Sequence, residues 1–315
     1  MTRRPTVFDA DKETDNVAES ADTAQREPPP DDMVLYDVVE RHIAKLTLNR
    51  PERRNAILMP EMNRQLTERL DMAQDDDDIK VIILAGAGKD FCSGEDVTRV
   101  PVETFGLKKG QRLPQSYRIR GMSRGQSQGP ALLRCDKTVI AAVQGAAFGL
   151  GFNLALSCDL IIAAEGAQFS RRQTRIGFAG FDMLLPVVLL KLGINRGYEI
   201  ILTGRKVSAQ ELKDWGVVSS LVPEGELADE ALRYAKAVAA HSTDGLMIGR
   251  QAKKLFWDML GMSQWNDFTA TAHPLFTNLV WREDEANLLK ERSRTGSARA
   301  ALDAVHKRWE DLGFD

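Results

Sequence analysis

The sequence predicts an α/β fold, in which short buried strands alternate with helices. Two apolar runs of strand length, Thr138–Val143 and Leu160–Ala164, flank a glycine-bearing turn and a stretch with helical character. Strand, helix and strand at this spacing are typical of a right-handed parallel crossover. Val81–Leu84 is a further apolar run of the same kind, and the chain beyond Gly177 is mostly helical in pattern. We therefore expect a sheet-containing core followed by a C-terminal helical layer.

The composition and charge of the chain limit the kinds of protein that it can be. Of its 315 residues, 43% are hydrophobic and 28% are charged, as is ordinary for a soluble globular protein. A net charge of −3 gives no reason to expect a nucleic-acid partner, and no apolar run approaches the roughly 20 residues that span a membrane. Cys92, Cys135 and Cys158 form neither a disulfide framework nor a metal-binding spacing. We expect a cytoplasmic protein with no bound metal.

Three regions follow one another along the chain. Residues 1–32 are polar, rich in acids and end in several prolines, so we predict a disordered N-terminal tail. The acids argue against a transit peptide, and no hydrophobic segment of a secretory signal is present. Residues 33–245 carry the α/β core. Residues 246–315 have amphipathic helical patterns without a strand signal, and we expect them to pack on the core or on a neighbouring subunit.

The core begins with a predicted β-hairpin. Val34–Val39 and His42–Leu48 roughly alternate apolar and polar residues, and Glu40 and Arg41 form the turn between them. A helix is predicted over Met62–Ala73 because its apolar residues have helical spacing. That helix leads to the strand Val81–Leu84.

The remaining elements are less regular at first and then clearly helical. Val97–Gln115 contains several glycines and prolines and is predicted to be a long loop over the site, with a helix over part of Ser116–Arg134. One more strand is predicted over Val217–Val222. The predicted later helices are Asp182–Leu192, Arg196–Leu202, Ala209–Trp215 and Leu227–Ala240.

Two glycine-bearing turns follow two of the predicted strands and form a candidate binding site. Gly145–Gly151 follows Thr138–Val143, and Asp90–Asp96 follows Val81–Leu84. Glycine lets the backbone approach a ligand closely, and the first N–H groups of a helix lack intrahelical acceptors. Such turns can aim N–H donors at a developing negative charge. The alternative is that these glycines only make tight turns.

Several spaced segments occur in the order that is typical of one enzyme family. They are Leu48–Pro51 with Asn55 and Ala56, Ile83–Gly88 with Phe91–Asp96, Ala142–Gly145 with Gly149–Gly151 and Cys158–Leu160, Ala167–Phe169, and Leu202–Arg205 with Ser208, Ala209 and Trp215–Val218. By these residues the chain, from about Met33 to Leu302, resembles the enoyl-CoA hydratase/isomerase (crotonase) superfamily. The resemblance implies a crotonase (ClpP-like) fold of repeated ββα units with a C-terminal helical layer. It also implies a homotrimer or a dimer of trimers.

The resemblance implies an acyl-CoA substrate and a backbone oxyanion hole. In this family two N–H groups receive the thioester oxygen of an enolate, and here they would belong to Glu95 and Leu150, which follow Gly94 and Gly149. Coenzyme A enters as part of the substrate, so no separate cofactor is implied. The residues implied to bind this substrate, besides the two glycines, are Arg50, Arg53, Arg54, Ala56 and Asp96. Guanidinium groups suit phosphate oxygens, although any one of these arginines could instead be a solvated charge.

The chain departs from the family at the two glutamates that hydratases use. Their positions correspond to Asn153 and Gln173, and an amide cannot serve as a proton-transfer base near neutral pH. Asp182 falls near the place where some isomerases carry a catalytic aspartate, but it could instead be the N-cap of a helix Met183–Leu192. Glu95 is a second candidate acid, whose side chain could point into the acyl pocket or toward solvent.

Three hypotheses about function follow. The first is an acyl-CoA enzyme whose enolate reaction does not need the glutamate pair, such as isomerisation, ring opening or closing, or C–C cleavage. The second is a hydratase or dehydratase in which Asn153 and Gln173 position water and another group supplies the proton. The third is a noncatalytic CoA-binding scaffold.

Overall fold

The computed structural model describes residues 32–98, 114, 116, 119–120, 128–178, 180–272, 282–285 and 287–314. The predicted N-terminal tail, except for Asp32, lies outside these residues, as do most of the predicted loop over 97–115 and most of the first part of the predicted helix over 116–134. Asp32–Asp315 form one unit in which the C-terminal helices belong with the sheet.

The chain forms nine strands and eleven α-helices within the described residues. The strands are β1 (Val34–Glu40), β2 (Ile43–Leu48), β3 (Val81–Gly86), β4 (Thr138–Val143), β5 (Ala146–Phe148), β6 (Leu160–Ala164), β7 (Gln168–Ser170), β8 (Lys206–Ser208) and β9 (Ser220–Val222). The helices are α1 (Glu61–Asp75), α2 (Gln128–Arg134), α3 (Leu150–Ser157), α4 (Leu185–Leu192), α5 (Ile194–Thr203), α6 (Ala209–Asp214), α7 (Leu227–Ala239), α8 (Thr243–Met259), α9 (Met262–Ala272), α10 (Leu288–Thr295) and α11 (Ala298–Glu310).

The larger sheet has six strands in the order β1-β2-β3-β4-β6-β9. The predicted hairpin is confirmed, since β1 pairs antiparallel with β2, and every other neighbouring pair in this sheet is parallel. Successive side chains of a strand point to opposite faces. Val81 and Ile83 accordingly face α7, whereas Ile82 and Leu84 belong to the main core on the other face. The predicted α/β core with parallel crossovers is therefore confirmed.

A smaller sheet of three short strands, in the order β5-β7-β8, lies beside the first. Its strands have three residues each, which is too short for an alternating pattern to be recognised in the sequence. β5 continues directly into α3 through Gly149, whose N–H donates to the carbonyl of Ser170 at the end of β7 (2.8 Å). The small sheet thus supports the second glycine turn.

Helix α8 carries the chain from the core into the C-terminal region. The predicted boundary between residues 245 and 246 falls inside α8, so it does not separate two structural units. Buried side chains of α8 contact the core directly: Arg250 donates to the carbonyl of Cys135 and to the carboxylate of Asp159. None of the helices among the described residues has the length and apolarity needed to cross a bilayer.

Candidate active site

The two glycine turns lie against each other. A Cβ atom on Gly94 would stand 3.0 Å from the carbonyl oxygen of Phe148 and 3.7 Å from the backbone nitrogen of Leu150. A Cβ atom on Gly149 would stand 3.9 Å from the Cα atom of Gly94. The φ angles of Gly94 and Gly149 are 111° and 53°, a region that side-chain-bearing residues rarely adopt. The positive φ angle therefore explains why glycine occupies both positions. At Gly94 the nearby Phe148 carbonyl leaves little room for a side chain as well.

The hydrogen bonding around these turns leaves two backbone donors available. The N–H of Ile57 donates to the carbonyl of Gly94 (2.8 Å), and the N–H of Asp96 donates to the carbonyl of Ile57 (3.0 Å). Because successive N–H groups of an extended segment point to opposite sides, the N–H of Glu95 points away from Ile57. Leu150 is the first residue of α3, where N–H groups lack intrahelical acceptors. Among the described residues, neither the N–H of Glu95 nor that of Leu150 has an acceptor.

Asn153 and Asp182 are in direct contact. Asn153 Nδ2 donates to Asp182 Oδ2 over 2.8 Å, and Arg171 Nη2 donates to the same oxygen over 2.7 Å. The other carboxylate oxygen accepts from the N–H of Leu184 (2.8 Å). A carboxylate only accepts hydrogen bonds, so the amide of Asn153 must turn its NH₂ group toward Asp182. Its Oδ1 atom is buried and has no partner among the described residues.

Asp182 is held in the ionised form. Burial by itself would raise the pKa of its carboxyl, but the charge of Arg171 and the donated hydrogen bonds outweigh burial and lower it. α4 begins at Leu185 with Leu184 in the N-cap position, so Asp182 is not the predicted N-cap. It instead makes a turn before the helix by accepting from the N–H two residues on. Its low pKa and its engaged oxygens make it a weak proton acceptor.

Gln173 lies in the loop between β7 and α4. Its carbonyl accepts from the N–H of Phe178 (3.1 Å), and its Oε1 atom is buried without a partner among the described residues. No hydrogen bond in that part of the chain joins its side chain to Asn153. The side chains of Asn153 and Gln173 therefore do not bond to each other.

The carboxyl of Glu95 differs from that of Asp182. Its side chain is exposed to solvent and makes no hydrogen bond or ion pair with the described residues. The pKa of Glu95 is nevertheless raised, chiefly because surrounding protein atoms displace water from it and also because of the adjacent Asp96 carboxylate. Glu95 is thus closer than Asp182 to the properties of a proton carrier.

The sequence model of enoyl-CoA hydratase/isomerase matches residues 39–258, well over half of the chain. The chain belongs to the enoyl-CoA hydratase/isomerase family. It is 36% identical over 220 residues to the 1,2-epoxyphenylacetyl-CoA isomerase of Escherichia coli, covering 68% of this chain and 79% of that protein. It is 34% identical over 242 residues to a mevalonyl-coenzyme A hydratase of Beauveria bassiana, covering 75% and 84%. A crystal structure of an enoyl-CoA hydratase/isomerase from Xanthobacter autotrophicus Py2 superposes with a TM-score of 0.71 at 28% identity, covering 88% of this chain and 98% of that one.

These similarities make the protein an enzyme of the hydratase/isomerase family and its fold a crotonase fold. The relatives include both hydratases and an isomerase, so membership leaves the reaction open. The family likeness also supports an acyl-CoA substrate. What this member does with it depends on the side chains described above.

The predicted phosphate-binding loop of this hydratase/isomerase is only partly available to a ligand. Arg50 is buried, and its Nη1 and Nη2 atoms donate to the carbonyl of Ala56 (2.5 Å) and to Asp96 Oδ2 (3.1 Å). Arg50, Ala56 and Asp96 therefore bind one another, and their predicted contact with substrate stays a prediction. Arg54 is exposed and donates to both carboxylate oxygens of Asp90 (2.7 and 3.0 Å). Arg53 is exposed, and no described residue pairs with its guanidinium.

Two residues at the site were not predicted from the sequence. Arg171 binds Asp182 from within the loop after β7, and the cluster of three arginines in that loop was the only signal. Trp265 of α9 donates from Nε1 to the carbonyl of Asp182 (2.9 Å), a contact between residues 83 positions apart. Nothing in the local pattern around Trp265 could have indicated it.

Proposed function

We propose that this protein is an acyl-CoA enzyme that stabilises a thioester enolate with the N–H groups of Glu95 and Leu150. The observation that carries the proposal is the contact of the two glycine turns, which leaves both donors without an acceptor in the described residues. An enolate concentrates negative charge on the thioester oxygen. Preorganised donors contribute most at the point where charge develops, about 2.7–4 kcal/mol for each donor.

We assign the proton transfer to the carboxyl of Glu95. Asp182 is occupied by three donors and has a lowered pKa, whereas Glu95 is unpaired in the described residues and has a raised one. Its backbone N–H and its carboxyl belong to one residue. In the proposed arrangement the N–H would bind the thioester oxygen, and the carboxyl would exchange a proton with the adjacent α-carbon. The class of reaction is the movement of a proton next to the thioester, as in isomerisation. The proposal differs from hydration in that no water is added.

Exchange of the α-proton tests the enolate directly, without knowledge of the natural acyl group. The enzyme is incubated in D₂O with butyryl-CoA or phenylacetyl-CoA, and deuterium in the acyl group is followed by mass spectrometry. We expect exchange by the wild-type enzyme and a loss of about 10²–10⁴-fold in Glu95→Gln. Full exchange in Glu95→Gln together with its loss in Asp182→Asn would reverse the assignment. Binding of both esters with no exchange and no product would favour the noncatalytic scaffold.

Hydration is the second candidate, and one observation favours it. The Oδ1 atom of Asn153 and the Oε1 atom of Gln173 are both buried acceptors without partners among the described residues. Such atoms can hold a water molecule, for which another group would then supply the proton. A crotonyl-CoA hydration assay decides between the candidates. No hydration by the wild type, with hydration in Asn153→Glu/Gln173→Glu, would count against the second candidate.

We propose that Arg53 and Arg54 bind phosphate groups of coenzyme A. Both lie on the surface, and Arg53 has no partner among the described residues. Arg53→Ala should raise the KM for an acyl-CoA by roughly tenfold, which corresponds to one charge-assisted hydrogen bond. The matched substrate is the acyl-pantetheine ester, which lacks the phosphates. An equal rise in its KM would contradict this role.

We expect that the enzyme needs no cofactor besides the coenzyme A of its substrate. Activity should therefore survive dialysis against EDTA.

We also propose a homotrimer or a dimer of trimers as the working form. α5 exposes Ile194, Tyr198 and Leu202 in one stripe, because residues four apart share a helix face. Light scattering after size exclusion measures the mass directly. A single-chain mass at working concentration would contradict the proposal, and Ile194→Glu/Leu202→Glu should shift an oligomer toward single chains.

A further inference from the structure

We propose that Arg171 is a positioning residue, whose guanidinium fixes Asp182 and, through Asp182, the amide of Asn153 beside the oxyanion turn. This inference rests on the proposed enolate function and extends it to a residue that touches no substrate. It concerns a set of three side chains that come from α3, from the loop after β7 and from the segment before α4.

Arg171 is enclosed by the protein and donates from both terminal nitrogens, while its buried Nε has no partner among the described residues. Its side chain is 1% exposed, its Nη1 donates to the carbonyl of Gly180 (2.7 Å), and its Nη2 donates to Asp182 Oδ2 (2.7 Å). A buried charge is retained only where a partner compensates it. Both bonds join the beginning of the loop 171–182 to its end. Arg171 therefore closes the loop that carries Gln173.

The cation decides which end of the Asn153 amide meets Asp182. With Arg171 present the carboxyl is ionised and can only accept, so Asn153 presents Nδ2 to it. Without the cation, burial would favour the protonated carboxyl, which can also donate. Asn153 could then turn its amide over and present the opposite end elsewhere. Asn153 follows Leu150 by three residues in α3. The orientation of the Asn153 amide is therefore set about one helical turn from the oxyanion donor.

Arg171 also balances the charge at this place. An unpaired carboxylate near Leu150 would oppose the negative charge of an enolate. The groups that contact Asp182 are Asn153 from α3, Arg171 from the loop, the N–H of Leu184 before α4 and the indole of Trp265 from α9. Of these, Arg171 alone is charged. The ion pair therefore brings no net charge toward the reaction centre.

The test is a double-mutant cycle on α-proton exchange, measured from pH 5 to pH 9. Arg171→Met should lower kcat at least about tenfold, as expected for a displaced group near the reacting atoms, and change KM much less. It should also introduce a titration absent from the wild type: activity falls as pH rises through the now raised pKa of Asp182. Arg171→Met/Asp182→Asn removes the titrating group, so the fall in activity at high pH should disappear. Its kcat should stay reduced, because an amide at position 182 can both donate and accept and does not fix the Asn153 amide. Arg171→Lys keeps the charge and should show no new titration.

A matched control separates positioning from general damage. Arg250 is another buried arginine that pairs with an aspartate, Asp159, over 2.6 Å. Arg250→Met should lower stability without adding a titration to the exchange reaction. Carbon-13 NMR of labelled aspartate carboxyls should report the raised pKa of Asp182 in Arg171→Met independently of activity.

Each outcome bears on a defined claim. If the wild type exchanges protons and Arg171→Met has the same kcat and pH profile, Arg171 has no positioning role and the enolate function still stands. If the double variant keeps the fall in activity at high pH, that titration does not come from Asp182. An inert wild type would remove the proposed function, and with it the reaction that Arg171 would serve.

Discussion

Arg50 and Asp96 form an ion pair in the interior, with Nη2 and Oδ2 3.1 Å apart and both side chains less than a tenth exposed. The pair joins the loop before α1 to the turn that carries Glu95. Thr98 also donates to Asp96 from its hydroxyl (2.6 Å) and its N–H (3.2 Å). Although burial raises the pKa of Asp96, these hydrogen bonds and Arg50 lower it further than burial raises it. Asp96 thus remains charged beside Glu95.

Breaking this pair should destabilise the protein strongly. Arg50→Met leaves a buried carboxylate without its cation, and we expect a loss of about 3–5 kcal/mol in the free energy of unfolding. Urea unfolding followed by circular dichroism measures the loss. Adding Asp96→Asn should restore part of it, because the unpaired charge is then gone. The exposed Arg53→Met is the matched control and should change stability by no more than about 0.5 kcal/mol. Equal effects at both arginines would contradict the assignment.

Leu150→Pro tests the oxyanion donor at the backbone. Proline lacks the N–H, and the first position of a helix is where that loss costs the helix least. We expect kcat for α-proton exchange to fall about 10²–10³-fold, the effect of one missing oxyanion donor. Leu150→Ala keeps the N–H and should retain kcat within roughly tenfold of the wild type. If Leu150→Pro folds and exchanges at the wild-type rate, this N–H is not a donor to the enolate.

Gly151→Ala tests how tightly the two turns are packed. Its Cβ would stand 2.1 Å from the carbonyl oxygen of Cys92, so the backbone must move. We expect a loss of about 1–3 kcal/mol in the free energy of unfolding, as for overpacked interiors, together with a lower kcat. Gly166→Ala is the matched control, since nothing lies within 4 Å of its Cβ. Gly166→Ala should be close to neutral in stability and in activity. Full stability in Gly151→Ala would show that the turns are not in close contact.

Asp159 should make stability depend on acid pH. It accepts from Arg250 (2.6 Å), from Lys253 and from the N–H of Val139 (2.8 Å). Burial raises the pKa of Asp159, but Lys253 and Arg250 together lower it below its usual range. A carboxyl with a lowered folded pKa stabilises the protein above its unfolded pKa, near 3.9, and that contribution is lost as pH falls through the folded pKa.

Asp159→Asn should therefore cost about 3–5 kcal/mol at pH 7, since two cations lose their partner. The difference from the wild type should shrink as pH falls below about 4. Urea unfolding at pH 7, 5 and 3 measures this. A difference that stays constant over that range would contradict the role of the ionised carboxylate.

Local pattern was sufficient for much of the fold. Thr138–Val143 and Leu160–Ala164 form strands with the predicted bounds, and α1 and α7 differ from their predictions by two residues or fewer at each end. Each of these elements has either an unbroken apolar run or a clear helical period. The strands β5, β7 and β8 were missed because three residues show no period. The helix α4 begins three residues later than predicted, because Asp182 turns the chain before it.

The sequence by itself determined the family and the two glycine turns, since each of these is written in residues close together in the chain. The tertiary structure decided the state of the charged groups. Arg50 meets Asp96 across 46 residues, and Asn153 meets Asp182 across 29. Ionisation and hydrogen bonding depend on distances between such remote side chains and on their burial, which no local pattern specifies. For that reason the ion pairs of Arg50 with Asp96 and of Arg171 with Asp182 are visible only in the tertiary structure.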